Sequence, residues 1–91
     1  MLYKNGGMSG IAGHVENVSA TGKNGAMAEV TVDTGSGSAR ILFAKGKPAA
    51  DALAFRKGMF LSCVATDYAK DGKTFLIANA YEAGPFPKKK Q

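Results

Sequence analysis

His14 and Glu16, two residues apart, are the nearest approach to an acid–base pair in this sequence, and Cys63 is its single thiol. A strand's two-residue period would put His14 and Glu16 on one face, a juxtaposition that chance supplies often. Cys63 has no His near it in sequence and stands in the apolar run LSCVA, the setting of a small core residue. Metal-ligand spacings, a phosphate-cradling Gly–Lys loop and a dinucleotide fingerprint are all missing. These residues predict a protein that is not an enzyme and that needs neither metal nor cofactor.

Aromatic and cationic side chains carry the stronger signal. Stacking faces interleaved with Lys and Arg are the ingredients of a site for single-stranded nucleic acid, because every base has a π-face and every nucleotide a phosphate. There are eight aromatic residues, five Phe and three Tyr. The candidates on this reasoning are Tyr68 for stacking and Arg40, Lys45, Lys70, Lys73 and Lys23 for phosphate. Phe55, Phe60 and Phe75 are expected in the core, and Tyr81 at the surface or an interface. Arg56 and Lys57 are expected at a helix end, where the dipole accounts for them.

Five strands and one helix are predicted to position these residues. Ser9 to Val18 alternates, with Gly10 and Gly13 marking bends or a bulge. Ala26 to Asp33 and Ser38 to Lys45 follow as second and third strands, separated by the Gly/Ser-rich stretch at residues 34–38. The period then lengthens over AADALAFRK, with Pro48 at the first helical turn and Gly58 placed to stop the helix. Met59 to Tyr68 and Lys73 to Tyr81 alternate again, joined across Asp71-Gly72, a hairpin turn pair. Three strands, a short helix and two strands is the layout of an all-β, five-stranded OB-fold Greek-key barrel. Residues 1–8 are read as a flexible extension, 9–84 as the barrel and 85–91 as a basic flexible tail.

Residues 39–84 resemble the second half of the bacterial and phage single-stranded DNA-binding proteins, including the tail-less primosomal replication protein N type. The resemblance rests on the order of Leu42-Phe43-Ala44-Lys45, an Ala-rich helix closed by Arg56-Lys57-Gly58, and the arm turning at Asp71-Gly72. It implies that Phe43 meets DNA and that Tyr68 is the arm's stacking aromatic. Alternation alone leaves Phe43 open between site and core, because Ile41 and Phe43 share a face; were that face core, Arg40 and Leu42 would point outward. Three features depart from the family: Trp is absent, Gly37 and Ser38 stand where an early aromatic belongs, and PFPKKKQ has no acidic, apolar tip.

Charge agrees in sign but is modest. Twelve basic against seven acidic side chains give +5, yet Lys88, Lys89 and Lys90 hold three of these, leaving 9 against 7, or +2, in residues 1–87. One Cys and no signal-peptide pattern predict the cytoplasm, and no run has the length of a membrane span. At 91 residues with much of its apolar content in Ala, the domain is small enough to predict a homo-oligomer, most simply a dimer. The expected function is sequence-independent binding of single-stranded DNA in replication or recombination, with RNA as a further ligand and replication proteins as partners. The competing expectation is an OB-fold protein–protein or inhibitory module, and a cold-shock-like RNA binder is a third.

Overall fold

The computed structural model describes residues 8–70 and 72–84, with 69, 70, 73 and 74 described by backbone alone. Of the extension read at 1–8, Met8 opens the first strand, while residues 1–7, the tail at 85–91 and Asp71 lie outside the described residues. Five strands, β1 (Met8–Thr21), β2 (Met27–Asp33), β3 (Ser38–Phe43), β4 (Phe60–Lys70) and β5 (Lys73–Gly84), close into a barrel in the order β1-β2-β3-β5-β4. One helix, α1 (Lys47–Leu53), lies between β3 and β4. This is the OB architecture expected from the element order.

Long β1 serves two partners. Its first half, Met8–His14, pairs antiparallel with β4, and its second half, from His14 onward, pairs antiparallel with β2. The change of partner is made possible at Gly13, where a Cβ would stand 2.2 Å from the Asp33 carbonyl oxygen. The bulge foreseen near these glycines falls instead at Glu16, between Val15 and Asn17. A second bulge, at Asn79 of β5, falls between the pairs Val64–Ala80 and Ala65–Ala78. β3 and β5 run parallel and close the ring through two residue pairs, Ile41–Leu76 and Leu42–Ile77.

Alternation fills the interior with Ile11, Val15, Val30, Val32, Ile41 and Leu61, together with small Ala28, Cys63 and Ala65. Such burial removes most of these side chains from water, at roughly 1.5–3 kcal/mol for each Val, Leu or Ile. Pro48 opens α1, and its buried Ala49 and Ala52 seat it over one end of the barrel. The helix stops at Leu53, short of Gly58, and Leu53 is exposed. Backbone hydrogen bonds to β1 take over here: the Gly58 N–H donates to the Val15 carbonyl and the Val15 N–H to the Met59 carbonyl, each at 2.8 Å. Gly58 adopts φ 96°, a conformation Gly reaches without strain, so it works as a turn residue rather than a helix cap.

Cys63 lies inside, 4% exposed, and burial pushes its thiol up to about 11. The thiolate, which is the reactive form, is therefore scarce at neutral pH. Alkylation by iodoacetamide at pH 7.5 is expected to be negligible in the folded protein and complete in urea. Equal rates in the two conditions would contradict the burial.

Candidate nucleic-acid interface

Phe43 is the first residue to be corrected. Its ring is fully buried, edge-on to Phe55 with centroids 5.7 Å apart and to Tyr81 at 5.1 Å. It cannot meet a nucleotide from there, because β3 has no bulge to rotate it and Ile41 and Phe43 both face the core. The opposite parity then points Arg40 and Leu42 outward, with Arg40 exposed and Leu42 half-buried. Tyr81 is likewise a structural residue. Its hydroxyl donates to Asp51 Oδ2 at 2.5 Å and Lys47 Nζ reaches the same oxygen at 2.8 Å, tying β5 to α1. Lys47 and then Tyr81 hold the Asp51 carboxyl below its ordinary range, while the bond to Asp51 raises the Tyr81 hydroxyl.

Tyr68 stands where a stacking residue should. It is 42% exposed on the outward face of the β4–β5 arm, opposite its register partner Phe75. Their rings lie 6.4 Å apart, tilted by 40°, and Phe75 is half-buried. Phe75 was expected in the core. The signal that could have found it was in the turn: a two-residue Asp71-Gly72 connection sets Lys70 opposite Lys73, and hence Tyr68 opposite Phe75 on one face.

The two parallel pairs bring this arm to β3. Arg40 and Phe75 each precede a paired residue, so they stand side by side, and Leu42 pairs with Ile77. Arg40 and Tyr68 are separated by one intervening strand, roughly 10 Å at the usual inter-strand spacing. Thr66 and Asn79, joined by a hydrogen bond, continue the face. Among the described side chains no carboxylate occupies the outward positions of β3, of β4 from Thr66 to Tyr68, or of β5 from Phe75 to Ala80. Asp67 belongs to the other face of the arm, paired with Leu76. Carboxylates border this stretch: Glu29 and Asp33 of β2 pair with Leu42 and Ser38 on either side of Arg40, Glu82 of β5 pairs with Ser62, and the Ser38 hydroxyl donates to Glu16 at 3.0 Å.

The remaining predicted cations fall around this face rather than on it. Lys23 is exposed in the short β1–β2 connection and Lys45 in the turn after β3, both at the end of β3 away from the arm. Lys70 and Lys73 are register partners at the arm's far end. Arg56 and Lys57 lie between α1 and β4, beyond the helix rather than in it. His14 packs against Phe60 at 5.4 Å, away from Glu16, whose bulge carries it toward Ser38.

A hollow of about 700 Å³ opens at the barrel mouth away from α1. Ile11, Ala39, Cys63 and Leu76 line it, and Thr34, Ser36, Ser38 and Ser62 supply its polar atoms.

No family model matches the sequence, and no curated protein matches it. Among solved structures the fold is similar to a chain of the Stn1–Ten1 complex of S. pombe, with a TM-score of 0.70 at 16% identity. The match covers 84% of this chain and 57% of that one, so this chain spans little more than half its length.

Proposed function

We propose that the chain binds single-stranded DNA, largely without regard to sequence, across the outer face of β3, β5 and β4. The observation that carries this reading is the placement of Arg40 beside Phe75 and Tyr68 on the outward side of β3 and the arm. Aromatic rings offer stacking to unpaired bases, which a duplex withholds, and Arg40 offers charge to the phosphates between them. Lys45 and Lys23 extend the positive path at one end of β3, and Lys70 and Lys73 at the other. The resemblance of residues 39–84 to the single-stranded DNA-binding proteins supports the same reading, as does the OB fold, which commonly takes oligonucleotides. Within it the chain is a non-enzymatic, cytoplasmic homodimer serving replication or recombination, a role its small size and that resemblance favour.

A second reading, a protein-binding OB module, draws on the acidic β1–β2 side and on the solved neighbour being half of a two-protein complex. The test is a polarisation titration with labelled oligo-dT, oligo-U and a duplex of equal length at two salt concentrations. Binding should favour the single strands. Five cations, at about 0.7 each for a single strand, limit the slope of log affinity against log salt to about −3.5. Equal affinity for the duplex, or no binding at low salt, would move the conclusion to the second reading.

A further inference from the structure

We infer that the open mouth of the barrel is a pocket for one nucleobase, turned out of the strand that crosses the neighbouring face. The inference rests on the single-strand reading and adds to it a second kind of contact, insertion rather than stacking.

Strand alternation places the hollow next to the face. Ala39 and Leu76 turn inward and line it, while Arg40 and Phe75, their immediate neighbours in the chain, turn outward. A strand whose phosphate lies at Arg40 and whose base lies on Phe75 thus has its next base within one residue of the opening. Only an unpaired base is free to leave the stack and enter.

The chemistry of the walls selects what enters. At about 700 Å³ the hollow falls in the size range of small-molecule sites. Among the described residues its lining holds no Lys, Arg, His, Asp or Glu, so neither a phosphate nor an ammonium group finds a counter-charge among them. Ile11, Ala39 and Leu76, which turn inward, supply apolar surface for a flat ring. Polar groups are few and partly committed: the Thr34 hydroxyl donates to the Gly37 carbonyl and the Ser38 hydroxyl to Glu16. The Ser36 hydroxyl has no such partner among the described residues and can serve as donor or acceptor to a ring's edge. An uncharged heterocycle with hydrogen-bonding edges, the chemistry of a nucleobase, satisfies all three conditions.

Two experiments test this. Thymidine, which carries a base and no phosphate, is titrated to roughly millimolar into the parent chain with amide shifts followed by NMR, the range suited to a single weak group. Shifts at Ser36, Ala39 and Leu76 are expected. In parallel, Ala39→Leu narrows the hollow without touching a charge or a stacking ring. Oligo-dT affinity should fall at least about fivefold, the lower bound of one base's contribution, with the salt slope unchanged. Thymidine that leaves those amides unmoved would overturn the inference, as would a folded Ala39→Leu chain that binds oligo-dT like the parent. Should Ala39→Leu fail to fold, the thymidine map alone decides. A parent chain that shifts with thymidine yet ignores oligo-dT would keep the pocket and remove the single-strand function, so the two failures are distinguishable.

Discussion

Replacing Phe43 with Ala is expected to lower the unfolding free energy by about 3–5 kcal/mol, the usual cost of deleting a buried Phe ring. The ring has no exposure and sits edge-on against both Phe55 and Tyr81, contacts that add about 0.5–1.5 kcal/mol each beyond the area they bury. A domain of this size has a total stability of roughly 5–15 kcal/mol, so the variant should sit near its unfolding midpoint in mild urea. Urea denaturation followed by circular dichroism measures the loss. The competing role for this residue, a base-stacking surface, predicts the reverse pattern: an unchanged midpoint with weakened oligo-dT binding. That pattern would contradict the buried placement.

The second large effect concerns the arm. Tyr68→Ala and Phe75→Ala are each expected to cost about 1–3 kcal/mol in oligo-dT binding, or roughly 5- to 150-fold. Tyr68 should show it more cleanly, because its ring is the more exposed and contributes less to the fold. Tyr68→Phe should restore affinity, since stacking uses the ring and not the hydroxyl. The salt slope should stay at the parent value in all three, because no charge is removed. If Tyr68→Ala and Phe75→Ala both bind like the parent while remaining folded, the face has been assigned to the wrong strands.

The order of elements was legible because each depends on a local signal. Alternation announced the strands, Pro48 the helix, and Asp71-Gly72 the last hairpin. Orientation was not legible at β3. A two-residue period says that Ile41 and Phe43 share a face but not which face is inside; that is decided by pairing with β2 and β5, far away in sequence. The end of α1 was misjudged for a similar reason. AFRK continues a helical composition, yet the hydrogen bonds of Gly58 and Met59 to Val15 draw the chain away to β1 after Leu53. Part of the candidate face was available and overlooked, since Phe75 follows from Tyr68 once the hairpin register is counted. That Glu29 and Asp33 of β2 flank Arg40 on one side, diagonally across the β2–β3 register, while the arm lies on its other side, depends on how the ring closes, and no local pattern reports that.

The position of β5 in that ring has a consequence for how the chain comes into being. It is the last of the five strands in sequence, yet it stands between β3 and β4, and β1 waits for β4 across more than forty residues of chain. On a ribosome adding about 5–20 residues each second, β5 is completed some 2–8 seconds after β3. Over that interval the β1-β2-β3 meander has one edge meant for β4 and another meant for β5, and neither partner has yet been made. Such edges invite pairing with other chains. The shape that would give a strand of DNA its resting place thus arrives all at once and late, and the nascent chain's safety depends on the short wait.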